Sequence, residues 1–220
     1  MDARCDEWPR RCYVLGCDLA QVNDYTALVA VERTDTPLDL STIRPVGRDF
    51  TTRLAIVGIK RLDRGIAYPD QVPQIAAMLH ALPVGWRRTE LVVDRTGVGR
   101  AVYDIIRRSG IRPLVPVTIT AGDSETPDGS GGWRVAKTEL VSVISALLHR
   151  GDLDIPRDHP LGPLLAQELK SFEVTFTAAG HMTFAAGDGA HDDLVIAAAL
   201  ACWRAVNFDR QRIRSTEFLV

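Results

Sequence analysis

Apolar residues in this chain fall into short segments whose periodicity changes along its length. Tyr13 to Leu19 and Tyr25 to Glu32 are compact apolar runs separated by the polar turn AQVND, a pattern that predicts two strands. The stretch from Thr34 to Phe50, rich in Asp, Thr and Pro, reads as a loop or longer excursion. Leu54 to Leu62 predicts a third strand, and the short links suggest a meander of neighbours. From Asp70 to Leu82 the period becomes helical, with Val72, Ile75, Ala76 and Leu79 on one face. Leu91 to Asp94 is then a short buried strand. The segment TGVGRAVYDIIRRSG opens a second helix carrying Val98, Val102, Ile105 and Ile106, with Gly110 as its stop. Leu114 to Ile119 predicts a strand, Ala121 to Gly132 a flexible loop, and Val135 to Arg150 a helix striped by Leu140, Ile144, Leu147 and Leu148. LDIP makes a short edge strand, Leu161 to Phe172 a helix, and EVTFTAAGHMTF a hairpin turning at Ala179-Gly180. The last helix is expected from about Asp192 to Asn207.

Strands first, then alternating strands and helices, predicts a mixed α/β sandwich. With 220 residues, 46% of them hydrophobic and 25% charged, the chain is long enough for one well-cored domain. That domain is expected over residues 12–209, after a loose leader at 1–11 and before a charged tail at 210–220. No apolar stretch reaches the length of a membrane span, and MDARCDEWPRR lacks the apolar core of a signal peptide, so no membrane partner is expected. Of the four cysteines, Cys17 and Cys202 lie inside apolar runs and are expected as buried thiols. A formal charge of −2 argues against a pure nucleic-acid-binding module. It does not exclude an enzyme whose acidic cluster offsets a local basic surface.

The chemistry concentrates in acids that end apolar segments. GAHDDLVIAAALACW, Gly189 to Trp203, places Asp192 and Asp193 at the start of a helix otherwise built from apolar residues. Such a helix packs flat on a sheet, and the partial positive charge of its first turn favours ionised carboxylates. Asp18 closes the run YVLGCD and Asp94 closes ELVVD, while Asp24 follows the first turn. Taken singly, each has an ordinary structural reading: Asp94 could cap the turn before Thr96-Gly97, and Asp192 or Asp193 could be an N-cap. Taken jointly, they could converge, and converging carboxylates call for a divalent cation. Oxygen-only ligands suit magnesium and manganese better than zinc.

In this order, GCDLAQVNDYTAL, LVVDRTGVG, VAKTELVSVISALLHRGDLDIP and GAHDDLVIAAALA resemble the nuclease half of large terminase subunits, the DNA-packaging motors of tailed bacteriophages and their prophages. The resemblance runs from about Tyr13 to Trp203. It implies an RNase H-like fold, in which three antiparallel strands lead into a mixed central β-sheet flanked by α-helices. It also implies a magnesium- or manganese-dependent endonuclease that cuts concatemeric viral DNA during genome packaging. Position by position, Asp18 matches the first-strand metal ligand, Asp94 the acid ending the fourth strand, and Asp193 the acid of the final helix. Asp192 is its close neighbour and a possible further ligand, and Asp24 matches a supporting acid of the opening motif. Asp94 stands where many relatives carry Glu, which shortens its reach. Two cations, roughly 4 Å apart, would activate water and bind the leaving 3′-oxygen, with Asp18 bridging them. The implied partners are double-stranded DNA, the terminase ATPase domain (absent from this sequence), the small terminase subunit and the portal protein. The implied location is the host cytoplasm, at the procapsid portal.

Other candidates are less specific. GGWRVAKT, Gly131 to Thr138, nearly matches a P-loop but has Ala136 where the second glycine is needed, so ATP binding is rejected. Arg134 and Lys137 are either DNA contacts, a lysine near the acids, or an exposed helix start. Arg95 and Arg100 flank the Asp94 turn and could hold a phosphate, or could simply be solvated. His191 is either an outer contact of the acid pair or a loop histidine without a role. Trp203 and Phe208 read as packing residues. Two rival functions remain: another RNase H-like nuclease, such as a Holliday-junction resolvase or recombinase, and an actin-like or sugar-kinase-type ATPase core. A portal-docking domain with a defective site is a third.

Overall fold

The computed structural model describes residues 8–20, 24–38, 50–83, 89–96, 99–122, 124–173 and 192–208, with backbone only at 99–101 and 172–173. Among the described residues eight strands form one sheet: β1 (Arg10–Asp18), β2 (Ala27–Pro37), β3 (Phe50–Arg61), β4 (Glu90–Asp94), β5 (Leu114–Thr120), β6 (Glu125–Pro127), β7 (Trp133–Ala136) and β8 (Leu153–Asp154). Their spatial order is β6-β7-β5-β4-β1-β2-β3-β8. The meander β1-β2-β3 is antiparallel, as the short links predict. β4, β5 and β7 then add in parallel beside β1, each reached through a connection that carries a helix or the β6 hairpin.

Side chains alternate across the central strands, so β1, β2 and β4 each serve two cores. On one face Leu15, Cys17, Leu28, Ala30, Leu91 and Val93 pack against helices α1 (Tyr68–Ala81) and α2 (Gly99–Arg108). On the other, Val14, Val29, Val31, Val92 and Val117 pack under α3 (Lys137–Arg150), α4 (Gly162–Glu173) and α5 (Asp193–Val206). α5 lies at the centre of that layer, and every residue from Leu194 to Trp203 is buried. It can sit so close because β1 offers Gly16: a Cβ there would lie 2.0 Å from the Ala197 carbonyl oxygen and 2.9 Å from the Ala201 nitrogen. Trp203 fills the layer further along, edge-on to Trp133 with centroids 6.1 Å apart, and its indole N–H donates to Glu125. Cys17 and Cys202 are buried thiols, as expected.

Four expectations need correction. The polar run after Glu32 is not a loop from Thr34 onward, because β2 continues to Pro37 and pairs with β3 from Phe50. Its Arg33 and Asp35 are both buried, paired at 2.9 Å, and Arg33 also donates to the Ala205 carbonyl near the end of α5. Charge in this strand is satisfied internally, which is why it does not read as a strand. Likewise Ala121 to Gly132 is not a featureless loop. It contains β6, and Asp128 closes the turn by accepting the Ser130 and Gly132 amides at 2.8 Å each. Val135 and Ala136 belong to β7, so α3 begins at Lys137 rather than at Val135. Finally, β1 begins at Arg10, inside the expected leader. The hairpin expected from Glu173 to Phe184 lies outside the described residues, apart from Glu173 at the end of α4.

Candidate active site

Strand register sets the site. β1 and β4 run parallel with Cys17 beside Val93, so the next residues, Asp18 and Asp94, stand side by side at the carboxyl ends of neighbouring strands. Cys17 and Val93 face α1 and α2, so alternation turns Asp18 and Asp94 to the α5 face. In the antiparallel direction Asp18 pairs with Ala27, and Ala27 pairs with Arg61. Asp94, Asp18, Ala27 and Arg61 therefore form one row across four strands. The small Ala27 leaves room above it. α5 runs opposite to β1, because its start meets Arg61 in the Asp18 row while Ala205 near its end meets Arg33, which pairs with Cys12 near the start of β1. Its first residues, Asp192 and Asp193, are thus carried back over the row.

The acids feel one another. Asp18 is partly buried, and its carboxyl pKa is pushed well up, first by burial and then by Asp94, Asp192, Asp193 and Asp24. Asp94 is also raised by burial, opposed by Thr96, whose amide and hydroxyl donate to Oδ1 at 2.8 and 2.5 Å, and by the Lys137 charge. Thr96 is itself fixed, accepting the Ile119 amide at 2.8 Å. Asp94 thus caps its turn and faces the acids at once. Asp24 accepts the Tyr25 amide at 3.1 Å and raises the carboxyl pKa of both Asp18 and Asp193.

The two helix acids have different partners. Asp193, 1% exposed, receives both Nε and Nη2 of Arg61, at 2.7 and 2.9 Å. Arg61 Nη2 also donates to Glu168 Oε1 on α4 at 2.5 Å, and the guanidinium lies 4.8 Å over the Tyr25 ring. Two carboxylates share one half-buried guanidinium, and Glu168 Oε2 is buried with no partner at hydrogen-bonding geometry among the described residues, although the nearby Leu194 amide favours its ionised form. Burial, with Asp193 beside it, raises the Glu168 carboxyl to about 7 despite Arg61. Asp192 occupies the N-cap position but makes no side-chain cap; it accepts Lys137 Nζ at 2.9 Å instead. Among the described residues no three His, Cys, Asp or Glu side chains are grouped closely enough to hold one ion. Asp192 and Asp193 are each paired with a basic side chain.

Of the basic residues read from the sequence, Lys137 reaches the acids and Arg95 and Arg134 do not. Arg95 donates from Nε to Thr118 Oγ1 at 3.0 Å and pairs with Asp128, so it braces the β6–β7 turn rather than facing a phosphate. Arg134 is exposed on β7, and alternation puts it on the face opposite its buried neighbours Trp133 and Val135. The side chain of Arg100 and all of His191 lie outside the described residues. Sequence reasoning missed Arg61 and Glu168. The available signal was a charge closing an apolar strand, GIKR, just as Asp18 and Asp94 close theirs.

No protein-family model matches the chain. Over 196 residues, 89% of its length, it is 27% identical to the large terminase subunit of Thermus virus P23-45 and 26% identical to that of Thermus phage G20c. The chain spans about a third of the length of these relatives, 32% in each case. Among solved structures, the large terminase nuclease from thermophilic phage G20c matches with a TM-score of 0.56 and 25% identity, over 87% of this chain and 81% of that one. The manganese-soaked terminase nuclease domain of human cytomegalovirus matches with a TM-score of 0.51 over 89% and 84% of the two chains; at 12% identity it speaks for the fold alone. The expected RNase H-like α/β architecture is the one the chain adopts. The chain is thus similar to large terminase subunits over about a third of their length, and its fold is similar to that of a large terminase nuclease.

Proposed function

We propose that this chain is a metal-dependent DNA endonuclease that cuts concatemeric viral DNA during genome packaging. The observation that carries the reading is the row of Asp94 and Asp18 under the first turn of α5, where burial and then four other carboxylates push the Asp18 carboxyl up. The similarity to terminase nucleases supports it. The donor chemistry fits a hard divalent cation, magnesium or manganese, because the acids are oxygen donors in need of positive charge. Asp18, Asp94, Asp192 and Asp193 would hold it. When bound, such ions, two in our reading, supply an activated water and charge stabilisation for the leaving 3′-oxygen.

The chain's own residues set the geometry. Thr96 fixes the Asp94 carboxylate, and Arg61, braced by Glu168 and Tyr25, fixes Asp193. Asp24 adds negative charge beside Asp18 and Asp193. Arg64, exposed and 4.7 Å over the Tyr25 ring, stands ready for a DNA phosphate. In this reading double-stranded DNA is the substrate. The ATPase domain, small subunit and portal of the packaging motor are the partners, and the host cytoplasm is the location. No described helix is long and apolar enough to cross a membrane.

Plasmid nicking tests the proposal. Relaxation of supercoiled DNA is expected in manganese, more weakly in magnesium, and not in EDTA, with Asp18→Asn inactive. Cleavage that persists in EDTA, or in Asp18→Asn, refutes it.

A further inference from the structure

Two basic side chains stand among the acids, and they are held differently. Arg61 is 14% exposed and locked by Asp193, Glu168 and the Tyr25 ring, so it is a fixed part of the wall. Lys137 is 31% exposed and meets Asp192, itself 26% exposed, through its ammonium at 2.9 Å. Its charge also acts on Asp94, the acid that ends β4. An ammonium is a compact point charge on a flexible four-carbon stem, and a partly exposed ion pair of this kind is weakly held. Lys137 is anchored by its backbone at the first residue of α3, from which the stem can turn toward solvent.

We propose that Lys137 is an internal competitor for the site's divalent cation: its ammonium takes the place beside Asp192 that a coordinated ion would need. Coordination by Asp192 then requires Lys137 to leave, whereas Arg61 stays on Asp193. Asp192 is the adjustable acid of the pair and Asp193 the fixed one. The inference rests on the metal-dependent reading above and adds a residue that sets how tightly the metal is held. Lys137 also repels a divalent ion through space, so removing its charge acts in the same direction as vacating the seat.

The test is manganese binding by the full chain without DNA, read from the loss of the free-manganese electron paramagnetic resonance signal at low salt. Lys137→Met is expected to bind manganese about tenfold more tightly than the unaltered chain, the size of effect that one unit charge near a divalent ion produces in a water-like dielectric. Lys137→Arg, which keeps the charge, should stay near the original affinity. In an Asp192→Asn background the gain from Lys137→Met should be clearly smaller, because the contested ligand is gone and only the through-space repulsion is relieved. Should Lys137→Met fail to fold by circular dichroism, Lys137→Gln gives the same comparison. Unchanged or weaker binding in the folded variant overturns the inference, as does a gain that is undiminished in Asp192→Asn. Manganese binding by the unaltered chain with no gain in the variant sinks this inference alone. Absence of binding in every form sinks the metal reading and the inference with it.

Discussion

Glu168→Gln provides the sharpest physical test of the buried charge network. Glu168 is 9% exposed, shares Arg61 with Asp193, and has one oxygen without a partner at hydrogen-bonding geometry among the described residues. A carboxyl whose pKa rises from 4.5 to about 7 has its ionised form disfavoured in the folded state by about 3 kcal/mol. Because the folded pKa is raised, the folded chain holds this proton more tightly than the unfolded chain. The associated stability is fully present below the unfolded value of 4.5 and is lost as pH rises through about 7. Glutamine mimics the protonated acid: its carbonyl can still accept from Arg61 and its amide carries no charge. Urea denaturation in EDTA at acid and alkaline pH measures the difference. Near the unfolded pKa the two proteins should be equally stable within experimental error. Above pH 8 the variant should be more stable by up to about 3 kcal/mol. Asp18, Asp94 and Asp193 are raised in the same direction and titrate in both proteins, so the difference between the two reports Glu168 together with its coupling to Asp193 through Arg61. A variant that is less stable than the original chain at alkaline pH, or that follows the same pH curve, refutes the reasoning and makes Glu168 a net stabilising anion.

Two further outcomes follow from packing and turns. Gly16→Ala places a methyl 2.0 Å from the Ala197 carbonyl oxygen, and α5 must move to admit it; a loss of about 3 kcal/mol or failure to fold is expected in thermal melting, and near-native stability would mean the helix is not seated there. Asp128→Ala removes the acceptor of two backbone amides and the partner of Arg95; a loss of about 1–3 kcal/mol is expected, with amide exchange faster in β6 and β7 than in β1, and uniform exchange would count against the braced turn.

The pattern of apolar positions was sufficient to predict the meander, the helices and the acids that close β1 and β4, because those features follow from local periodicity. It was sufficient to place Asp192 and Asp193 at a helix start for the same reason. Periodicity does not report pairing. The β2–β3 register contains a bulge after Ala30, where the partner shifts from Gly58 to Ile56 and Val57 is left 45% exposed, and that register decides that Arg61 lines up with Ala27 and Asp18. Arg33 and Asp35 read as loop residues because their charges cancel only when β2 and α5 are brought together. Arg95 reads as a phosphate contact because its partner, Asp128, lies on a different strand connection, 33 residues away. The roles of Asp192 and Asp193 diverge for a similar reason. Adjacent in sequence, they point from the start of one helix toward different neighbours, Lys137 at the head of α3 and Arg61 at the end of β3. Local sequence sets which residues can be charged and where chain segments turn. Which charges meet depends on how distant segments are brought together, and only the packed sheet and helices determine that.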